Sequence, residues 1–309
     1  TYTDYLTVKY NAAGVEQWAA IYDGDAGRND EPHAIAVDSA GNVYVTGSSQ
    51  APPPLSSLYQ ADILTVKYNV DGVQQWAARY DGGSYAWDEG NDIGVDANGD
   101  VYVTGYQYDN GNQDYITIKY DGDTEDENGH VIWKGTYDGS GSWDMAEALV
   151  VSGDRVYVTG ASQGTVSADY LTIVYDTEGD GTEAKEVWET PARYDGDGAQ
   201  QDEAKAITVD SAGNIYVTGR STGGTPGDPN YDTDFVTVKY NAAGDQQWAA
   251  PFAGPYGDDT GRYVAVDGAG NVYVSGDCAV GGEGEMVING ICTMKYNADG
   301  NPQWSPDAA

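Results

Sequence analysis

Short stretches in which apolar and polar residues alternate recur along the whole chain. Residues 42–47 read NVYVTG and residues 63–68 read ILTVKY, and both place Val, Ile, Thr or Tyr on a period of two. This period and the wealth of β-branched and aromatic residues predict strands, and no stretch shows a helical period of useful length. We therefore predict an all-β protein.

Two phrases return several times and define a repeat of about 55 residues. The first reads DSAGNVYVTG from Asp38, and four variants of it begin near residues 96, 152, 210 and 267. The second reads DYLTVKY from Asp4, and its six copies end at Tyr10, Tyr68, Tyr120, Tyr175, Tyr240 and Tyr296. A fixed period of this size is typical of repeat architectures in which each copy is one supersecondary unit.

Each repeat contains four predicted strands. In the first full copy they are A (34–37), B (42–47), C (63–68) and D (74–80), and turns such as NVDG join C to D. Strand D carries one tryptophan per repeat. Four short antiparallel strands with aromatic and glycine markers in every copy predict a β-propeller built of four-stranded antiparallel blades.

The strand pairs are unequal in number, because six C–D pairs stand beside five A–B pairs. We predict a single β-propeller domain over 1–309, with five complete blades plus an extra two-stranded half blade in a five- or six-position ring. Three explanations stay open for the surplus pair: a half blade in the ring, a fragment of a longer chain, or a hairpin that pairs with another molecule. The predicted half blade spans 1–24, and the repeats span about 25–82, 83–139, 140–196, 197–254 and 255–309.

The phrases DSAGNVYVTG and DYLTVKY, followed by a tryptophan-bearing strand, resemble the bacterial and archaeal β-propeller repeat family SBBP over essentially the whole chain. The resemblance implies the propeller fold and an occurrence in secreted or surface proteins. It implies no reaction, since the family brings no catalytic motif to transfer. We therefore expect an extracellular or cell-surface location.

Charge narrows the range of partners. The chain has 14 Lys and Arg against 50 Asp and Glu, a net charge of -36, which repels nucleic acid and anionic membranes. No apolar stretch approaches the roughly 20 residues that span a bilayer, so membrane insertion is not expected. The acidity indicates either a solvated acidic surface or a capacity to collect cations.

Several repeated residues are expected to be structural. The six tryptophans of strand D are predicted to pack in the core. The lysines of the VKY phrases are predicted to form ion pairs with a repeated aspartate. Cys278 and Cys292 fall on neighbouring predicted strands, so they are a candidate disulfide, which an oxidising compartment would allow; the alternative is two buried thiols. The lysines are Lys9, Lys67, Lys119, Lys239 and Lys295.

An aspartate recurs just before each strand A, and these residues are candidate channel-mouth carboxylates. Five carboxylates at one mouth would attract a cation or raise their own pKa values, whereas the alternative is that each caps its own loop by accepting backbone N–H groups. The five are Asp30, Asp88, Asp144, Asp202 and Asp259. Beside them, Trp87, Trp143 and Tyr85 are candidate stacking residues for a sugar.

Two acidic turns between strands C and D are candidate calcium sites, which makes calcium the expected ligand ion. In the first, residues 176–181 place acids at positions 1, 3 and 5 and glycine at 6, the spacing of a calcium loop. The second turn lacks that glycine and is the weaker candidate for a calcium site. The candidate ligands are Asp176, Glu178, Asp180 and Glu183 in the first turn and Asp121, Asp123 and Glu125 in the second.

Catalytic motifs are sparse. Only His33 and His130 exist, so a multi-histidine metal centre is excluded, and no phosphate loop, dinucleotide fingerprint or nucleophile elbow is present. We therefore expect a non-catalytic structural or adhesive module that self-assembles through the surplus strand pair, with further copies of itself or surface proteins as partners. The alternative is a carbohydrate-binding propeller that uses its variable loops to hold glycans. A polysaccharide-active enzyme comes third.

Overall fold

The computed structural model describes most of the chain, and none of the described residues lies in a helix. Consequently no helix of sufficient length and apolarity to cross a membrane occurs among them. The all-β prediction is confirmed. The described residues are 2–24, 28–50, 60–83, 87–109, 111–139, 142–196, 200–223, 232–254, 257–283 and 286–304, with no side-chain description for 280–288.

Twenty-three strands follow one another in the described ranges. They are β1 (Tyr5–Tyr10), β2 (Glu16–Tyr22), β3 (Asp30–Val37), β4 (Val43–Gln50), β5 (Ala61–Tyr68), β6 (Gln74–Tyr80), β7 (Glu89–Val95), β8 (Val101–Asp109), β9 (Asn112–Asp121), β10 (His130–Tyr137), β11 (Asp144–Ser152) and β12 (Arg155–Gln163). The rest are β13 (Ala168–Asp180), β14 (Glu183–Glu186), β15 (Ala192–Tyr194), β16 (Asp202–Val209), β17 (Ile215–Thr222), β18 (Thr233–Tyr240), β19 (Gln246–Phe252), β20 (Thr260–Val266), β21 (Val272–Glu283), β22 (Met286–Tyr296) and β23 (Pro302–Trp304).

Three repeats form separate four-stranded sheets in sequence order, β3-β4-β5-β6, β16-β17-β18-β19 and β20-β21-β22-β23. Their strands pair antiparallel, and in the first sheet Val45 lies between Ile35 and Val66. Strands β1 and β2 form a two-stranded sheet of their own. The strands start earlier and run longer than the alternating cores of the sequence phrases, because polar residues extend each hairpin.

The repeats at 89–137 and 144–194 join into one nine-stranded sheet. Strand β13 continues through residues 176–180, and β14 then pairs parallel with β10 through Lys134 and Glu183. The predicted tryptophan-bearing fourth strand is replaced here by β14 and the three-residue strand β15, which pairs antiparallel with β13. The acidic insertion therefore alters the regular strand order, because it extends β13 and diverts the strand that follows.

The chain forms two compact units. The first comprises residues 1–156 and 175–185, and the second comprises 157–174 and 186–309. In the first unit, Tyr44, Trp76 and Ile116 belong to one buried cluster, and Tyr5, Val45 and Leu64 belong to another. In the second unit, Tyr216, Phe235 and Met294 pack together with the disulfide between Cys278 and Cys292, whose Cα atoms are 5.7 Å apart.

The turn of each DSAGN-type phrase is held by its aspartate. Asp38 Oδ1 accepts the N–H groups of Ala40 and Asn42 at 2.9 Å, and Oδ2 accepts the Tyr44 hydroxyl at 3.1 Å. Gly41 takes the positive φ of 85° that closes the hairpin. The same arrangement recurs in the last repeat, where hydrogen bonds from Asn271 lower the pKa of Asp267 to about 2.

A shared backbone carbonyl links successive repeats within each unit. Lys9 Nζ and Trp18 Nε1 both donate to the Val70 carbonyl, at 3.1 and 3.0 Å. Val70 lies in the turn between β5 and β6, and Gly72 of that turn lies against the Trp18 ring. We call this arrangement the shared-carbonyl contact. Lys119 and Trp133 repeat it at Thr177, and Lys239 and Trp248 repeat it at Ala298.

The repeated lysines therefore act mainly through carbonyls and rings, so the predicted ion pairs are the smaller part of their role. Lys119 also lies 2.8 Å from Asp100, and Lys67 lies 3.9 Å from Asp123. Four of the lysines lie 5.1 to 5.5 Å above a tyrosine ring, a cation–π geometry. The pairs are Lys67 with Tyr44, Lys119 with Tyr102, Lys239 with Tyr216 and Lys295 with Tyr273.

The tryptophans of the fourth strands pack as predicted from the sequence. Trp76 and Trp133 are completely buried, and Trp188 is 8% exposed. Each ring of Trp18, Trp76, Trp133 and Trp248 lies about 6 Å from the closing tyrosine of the next repeat. Trp304, in the last strand, keeps 44% of its surface exposed and contacts Tyr273.

Substituting Gly72 tests the shared-carbonyl contact. Gly72→Ala should destabilise more than Gly14→Ala, although both glycines have φ near +80° and lie in equivalent turns. Both variants carry the strain of a left-handed alanine, about 1–2 kcal/mol. Only the Gly72 variant places a Cβ 2.6 Å from the Trp18 ring, which adds overpacking of about 1–3 kcal/mol. Urea denaturation measures both, and equal losses would contradict the proposed role of the turn.

Candidate functional site

The first strands of four repeats, β3, β7, β16 and β20, each contain a β-bulge that turns one polar side chain out of the regular pairing. In β3 the register shifts between Pro32 and Ala34, so His33 is the bulged residue. The same shift occurs around Asn91, Lys205 and Arg262. Bulges re-aim side chains and are frequent beside active sites, and here each bulge presents a different polar group.

A compact polar cluster forms in the first unit where β3, β7 and β8 meet. Glu89 Oε2 accepts hydrogen bonds from Trp87 Nε1 and from the Tyr106 hydroxyl, both at 2.9 Å. Its other oxygen, Oε1, lies 3.3 Å from His33 Nδ1. We call His33, Trp87, Glu89 and Tyr106 the Glu89 cluster. Glu89 and Tyr106 are cross-strand partners in β7 and β8, so the sheet itself sets their separation.

The surroundings of His33 determine which nitrogen carries its proton when the ring is neutral. Nδ1 faces the Gly90 carbonyl at 3.2 Å and the Glu89 carboxylate, and both are acceptors. The proton of a neutral ring therefore belongs on Nδ1, which leaves a lone pair on Nε2. The imidazole side chain is 26% exposed and that of Glu89 is 23% exposed, so solvent or a ligand reaches both.

Tyr106 is a proton donor in this cluster. Burial, followed by the negative charges of Glu89, Asp88 and Glu147, raises its pKa above the usual range, so the phenol stays protonated. Glu147 thus acts electrostatically on Tyr106, after Glu89 and Asp88. The cluster combines a fixed carboxylate, a protonated phenol and an imidazole, which together can accept, hold and deliver a proton.

Of the three predicted stacking residues, Trp87 joins the Glu89 cluster. Trp87 is partly exposed, and its backbone pairs with Ala61 in an isolated bridge. Trp143 is also partly exposed and directly precedes Asp144. Tyr85 lies outside the described residues. No sequence motif marks Tyr106, but its position, one residue after a repeated glycine, holds a different residue in every repeat: Ser48, Tyr106, Ala161, Arg220 and Asp277.

The predicted channel-mouth aspartates are all buried, with at most 2% of each exposed. Each accepts the N–H of a glycine that precedes it by five or six residues, at 2.6–2.9 Å, so each holds its own loop as the second interpretation expects. The pairs are Asp30 with Gly24, Asp88 with Gly82, Asp144 with Gly139, Asp202 with Gly196 and Asp259 with Gly254.

Four of these aspartates also meet two further carboxylates, which come from the preceding repeat or, for Asp30, from the half blade at 1–24. The second comes from the start of a DYLTVKY-type strand, and the third follows the tryptophan-bearing segment. In each group three carboxylate oxygens lie within 4.8 Å of one another. The groups are Asp4, Asp23 and Asp30; Asp62, Asp81 and Asp88; Asp114, Asp138 and Asp144; and Asp169, Asp195 and Asp202. We call them the aspartate triads.

Burial and mutual repulsion perturb these carboxyl groups. Burial is the first cause, and it raises the pKa of Asp88 to about 6, with backbone hydrogen bonds opposing the shift. Burial and the neighbouring Asp138 and Asp144 raise the pKa of Asp114 to about 6. In the repeat at 197–254 Ala253 replaces the third carboxylate, and there burial, together with Asp232, Asp259 and Asp258, raises the pKa of Asp234 to about 7.

The two turns predicted to bind calcium do not bring three carboxylates together in the described structure, where the four aspartate triads are the groups of that kind. Residues 176–180 continue strand β13 instead. Asp176 accepts the Glu178 N–H at 3.0 Å and lies 3.3 Å from Arg155, while the Thr177 carbonyl belongs to a shared-carbonyl contact. No three of Asp176, Glu178, Asp180 and Glu183 offer ligand atoms within 4.8 Å of one another in the described structure.

The second acidic turn is likewise committed to local contacts. Asp121 accepts the Asp123 N–H at 3.0 Å and lies 3.8 Å from His130. The carbonyl of Gly122 accepts Lys67 Nζ. Glu125 joins no group of three ligands among the residues that the structure describes. These acids thus close a turn between β9 and β10.

Comparison with known proteins identifies the repeats. The sequence model described as SBBP, beta-propeller repeat, matches residues 17–52 and 192–226, so the predicted resemblance is confirmed in these two segments. No curated protein sequence matches the chain.

Among solved structures, an ulvan lyase of polysaccharide lyase family PL25 has a TM-score of 0.53 at 12% identity, covering 92% of this chain and 72% of that one. The same enzyme bound to -[GlcA(1-4)Rha3S]- has a TM-score of 0.52 at 11% identity, with the same coverage. The alpha-L-arabinofuranosidase Arb93A from Fusarium graminearum has a TM-score of 0.49 at 10% identity, covering 98% of this chain and 84% of that one. The first two likenesses establish a propeller-like fold.

The ulvan lyase structures contradict the expectation of a non-catalytic structural or adhesive module that self-assembles. Both of these structures, with TM-scores of 0.53 and 0.52, are of a carbohydrate-cleaving enzyme. The surplus half blade also makes contacts within the first unit. The Asp30 N–H donates to the Thr3 carbonyl, and the Tyr5 hydroxyl donates to the Leu64 carbonyl. The expectation that the chain is not an enzyme is therefore wrong as well, and the carbohydrate interpretation is the better supported one.

Asp234 provides a pH test of the buried carboxylates. Its pKa is about 7 in the folded state against a usual 3.8, so the folded protein binds the proton more tightly than the unfolded chain does. Its contribution to the free energy of unfolding should fall as pH rises from about 4 to 7. Asp234→Asn should flatten this decline, whereas Asn at the exposed Asp71 should leave it unchanged. Denaturation midpoints from pH 4 to 8, without divalent cations, check this; parallel curves would contradict it.

Proposed function

We propose that the protein cleaves a neutral polysaccharide outside the cell or at its surface, using the Glu89 cluster. The observation that carries the proposal is Glu89 itself, a partly exposed carboxylate held by Trp87 and Tyr106 beside His33. The disulfide between Cys278 and Cys292 agrees with an oxidising, extracytoplasmic location. The propeller-like fold agrees with such an activity but does not determine it.

Each full repeat is proposed to form one four-stranded blade, giving five blades and the additional pair β1-β2. The repeat at 144–194 fits this scheme with β15 in the place of its fourth strand. In this scheme Glu89 lies at the start of β7, the first strand of its blade. Tyr106 lies in the second half of β8, the second strand of the same blade. The residues there change from repeat to repeat, so one repeat can specialise without disturbing the others.

Charge favours a neutral substrate. A net charge of -36 repels polyanions, so uronate-rich chains are poor candidates. Elimination across a glycosidic linkage requires an acidic proton beside a carboxylate, which neutral sugars lack. Hydrolysis is therefore the cleavage reaction that we propose for a neutral polysaccharide. It ordinarily employs two carboxylic groups that flank the scissile bond. Three carboxylates act on Tyr106, and Asp88 is the buried one among them, so we assign this role to the partly exposed Glu89 and Glu147.

The contacts suggest a division of labour. Glu89 is oriented by two hydrogen bonds, so it is the carboxylate that attacks the anomeric carbon or activates water. Glu147 serves as the acid that protonates the leaving oxygen. Tyr106 and His33 hold Glu89 in place, and the indole of Trp87 offers an apolar face against which a pyranose ring can stack. All of these residues belong to the first unit.

Product analysis tests the proposal directly. Neutral and uronate-containing polysaccharides are incubated with the protein, and new reducing ends and new C4–C5 double bonds are measured separately. We expect reducing ends from a neutral polymer and no double bonds. Glu89→Gln should lower the rate by about 10²–10⁴, the usual contribution of a positioned acid or base.

The matched control is Glu31→Gln, which changes the equivalent residue of β3. Glu31 is exposed and opposite Ser48, and it should retain the parental rate. Tyr106→Phe should reduce turnover more than it weakens binding, since it removes one bond that orients Glu89. Activity that survives Glu89→Gln would refute the assignment, and double bonds in place of new reducing ends would refute hydrolysis.

A further inference from the structure

We infer that Asp169, Asp195 and Asp202 form a calcium site in the second unit, a binding function separate from the proposed polysaccharide cleavage. Each residue supplies one carboxylate oxygen, and these oxygens lie within 4.8 Å of one another. Calcium binds oxygen ligands at 2.3–2.6 Å, so two ligands on opposite sides of one ion are at most about 5 Å apart. The spacing fits calcium, and a site of three carboxylates suits calcium better than magnesium, which is usually held by one or two carboxylates and several waters.

An unpartnered oxygen in the triad points to a missing cation. Asp202 is 1% exposed, and its Oδ2 accepts the Gly196 N–H at 2.8 Å. Its Oδ1 is buried, lies near the Ser221 hydroxyl and has no hydrogen-bond partner among the described residues. A buried carboxylate oxygen without a donor is costly, and a bound cation would satisfy it.

The equivalent aspartate oxygen has a backbone donor in two other repeats, and this difference supports the inference. Asp88 Oδ1 accepts the Tyr108 N–H at 2.7 Å, and Asp259 Oδ1 accepts the Ala279 N–H at 2.9 Å. In the repeat of Asp202 the corresponding donor, Thr222 N–H, turns to the Gln201 carbonyl instead. Asp202 is thus left with an oxygen that the other two repeats satisfy through the backbone.

Charge balance agrees with a divalent ion. Arg193 Nη1 lies 2.8 Å from Asp169 Oδ2 and also binds the Ser162 carbonyl at 3.0 Å. Three ionised carboxylates and one guanidinium leave a charge of about -2, which one calcium ion neutralises. Asp195 is exposed, so it provides an entry path and room for water ligands.

Equilibrium dialysis against calcium, with the full chain, tests the site. We expect the number of ions bound per chain to fall by one in Asp195→Asn. This substitution preserves shape at an exposed position, so the fold should survive it. Asp202→Asn should show the same loss. Asn at the exposed Asp245, which belongs to no triad, should bind as the parent does.

A variant that should create a new calcium site tests whether the loss of binding in the other variants has an indirect cause. Ala253 occupies the place of Asp195 in the next repeat, beside Asp234 and Asp259. Ala253→Asp should raise the number of bound ions by one. No binding by the parent, an unchanged number in Asp195→Asn, or magnesium competing equally with calcium would each overturn the inference. Because the assay measures bound metal, its failure is distinguishable from a failure of polysaccharide cleavage.

Discussion

The structure depends on the shared-carbonyl contact between successive repeats. A lysine and a tryptophan of one repeat donate to a single turn carbonyl of the next, as Lys9 and Trp18 do at Val70. The tryptophan ring lies against a glycine of that turn, where any larger side chain would clash with it. The same glycine has a positive φ because it closes the turn. One short turn therefore satisfies its own backbone and anchors the preceding repeat, which explains why the NVDG-type turn and the VKY phrase recur together.

The uniform turns lie at one end of the strands, and the chemistry lies at the other. Glu89 begins β7 and Tyr106 follows the repeated glycine of β8, so both are far along their strands from the turn that Asp96 closes. The aspartate triads are at the same strand ends as the Glu89 cluster. Repulsion among buried carboxylates is tolerated there because backbone N–H groups, arginines and, as we infer, calcium offset it.

Much of the fold was predictable, because hairpin turns and alternating strands depend on local sequence. The tryptophan core and the DSAGN turn followed from residue type and spacing. The diversion of β13 into β14 did not, since it results from a parallel pairing between Lys134 and Glu183, which lie far apart in the chain. The DTEG stretch resembled a calcium loop because acids alternate in both, and the contact of Thr177 with Lys119 and Trp133 gives the stretch a structural role that the sequence did not indicate.

Only part of the candidate site could be predicted from the sequence. Trp87 and the repeated aspartates were recognisable, but Glu89 and Tyr106 become partners only through the register of β7 and β8, and His33 approaches them from another repeat. The most direct measurement is a crystal structure of the Glu89→Gln variant with an oligosaccharide of a neutral polysaccharide. Our account predicts a glycosidic oxygen beside residue 89 and a sugar ring against Trp87. A sugar bound elsewhere, with the cluster empty, would contradict it.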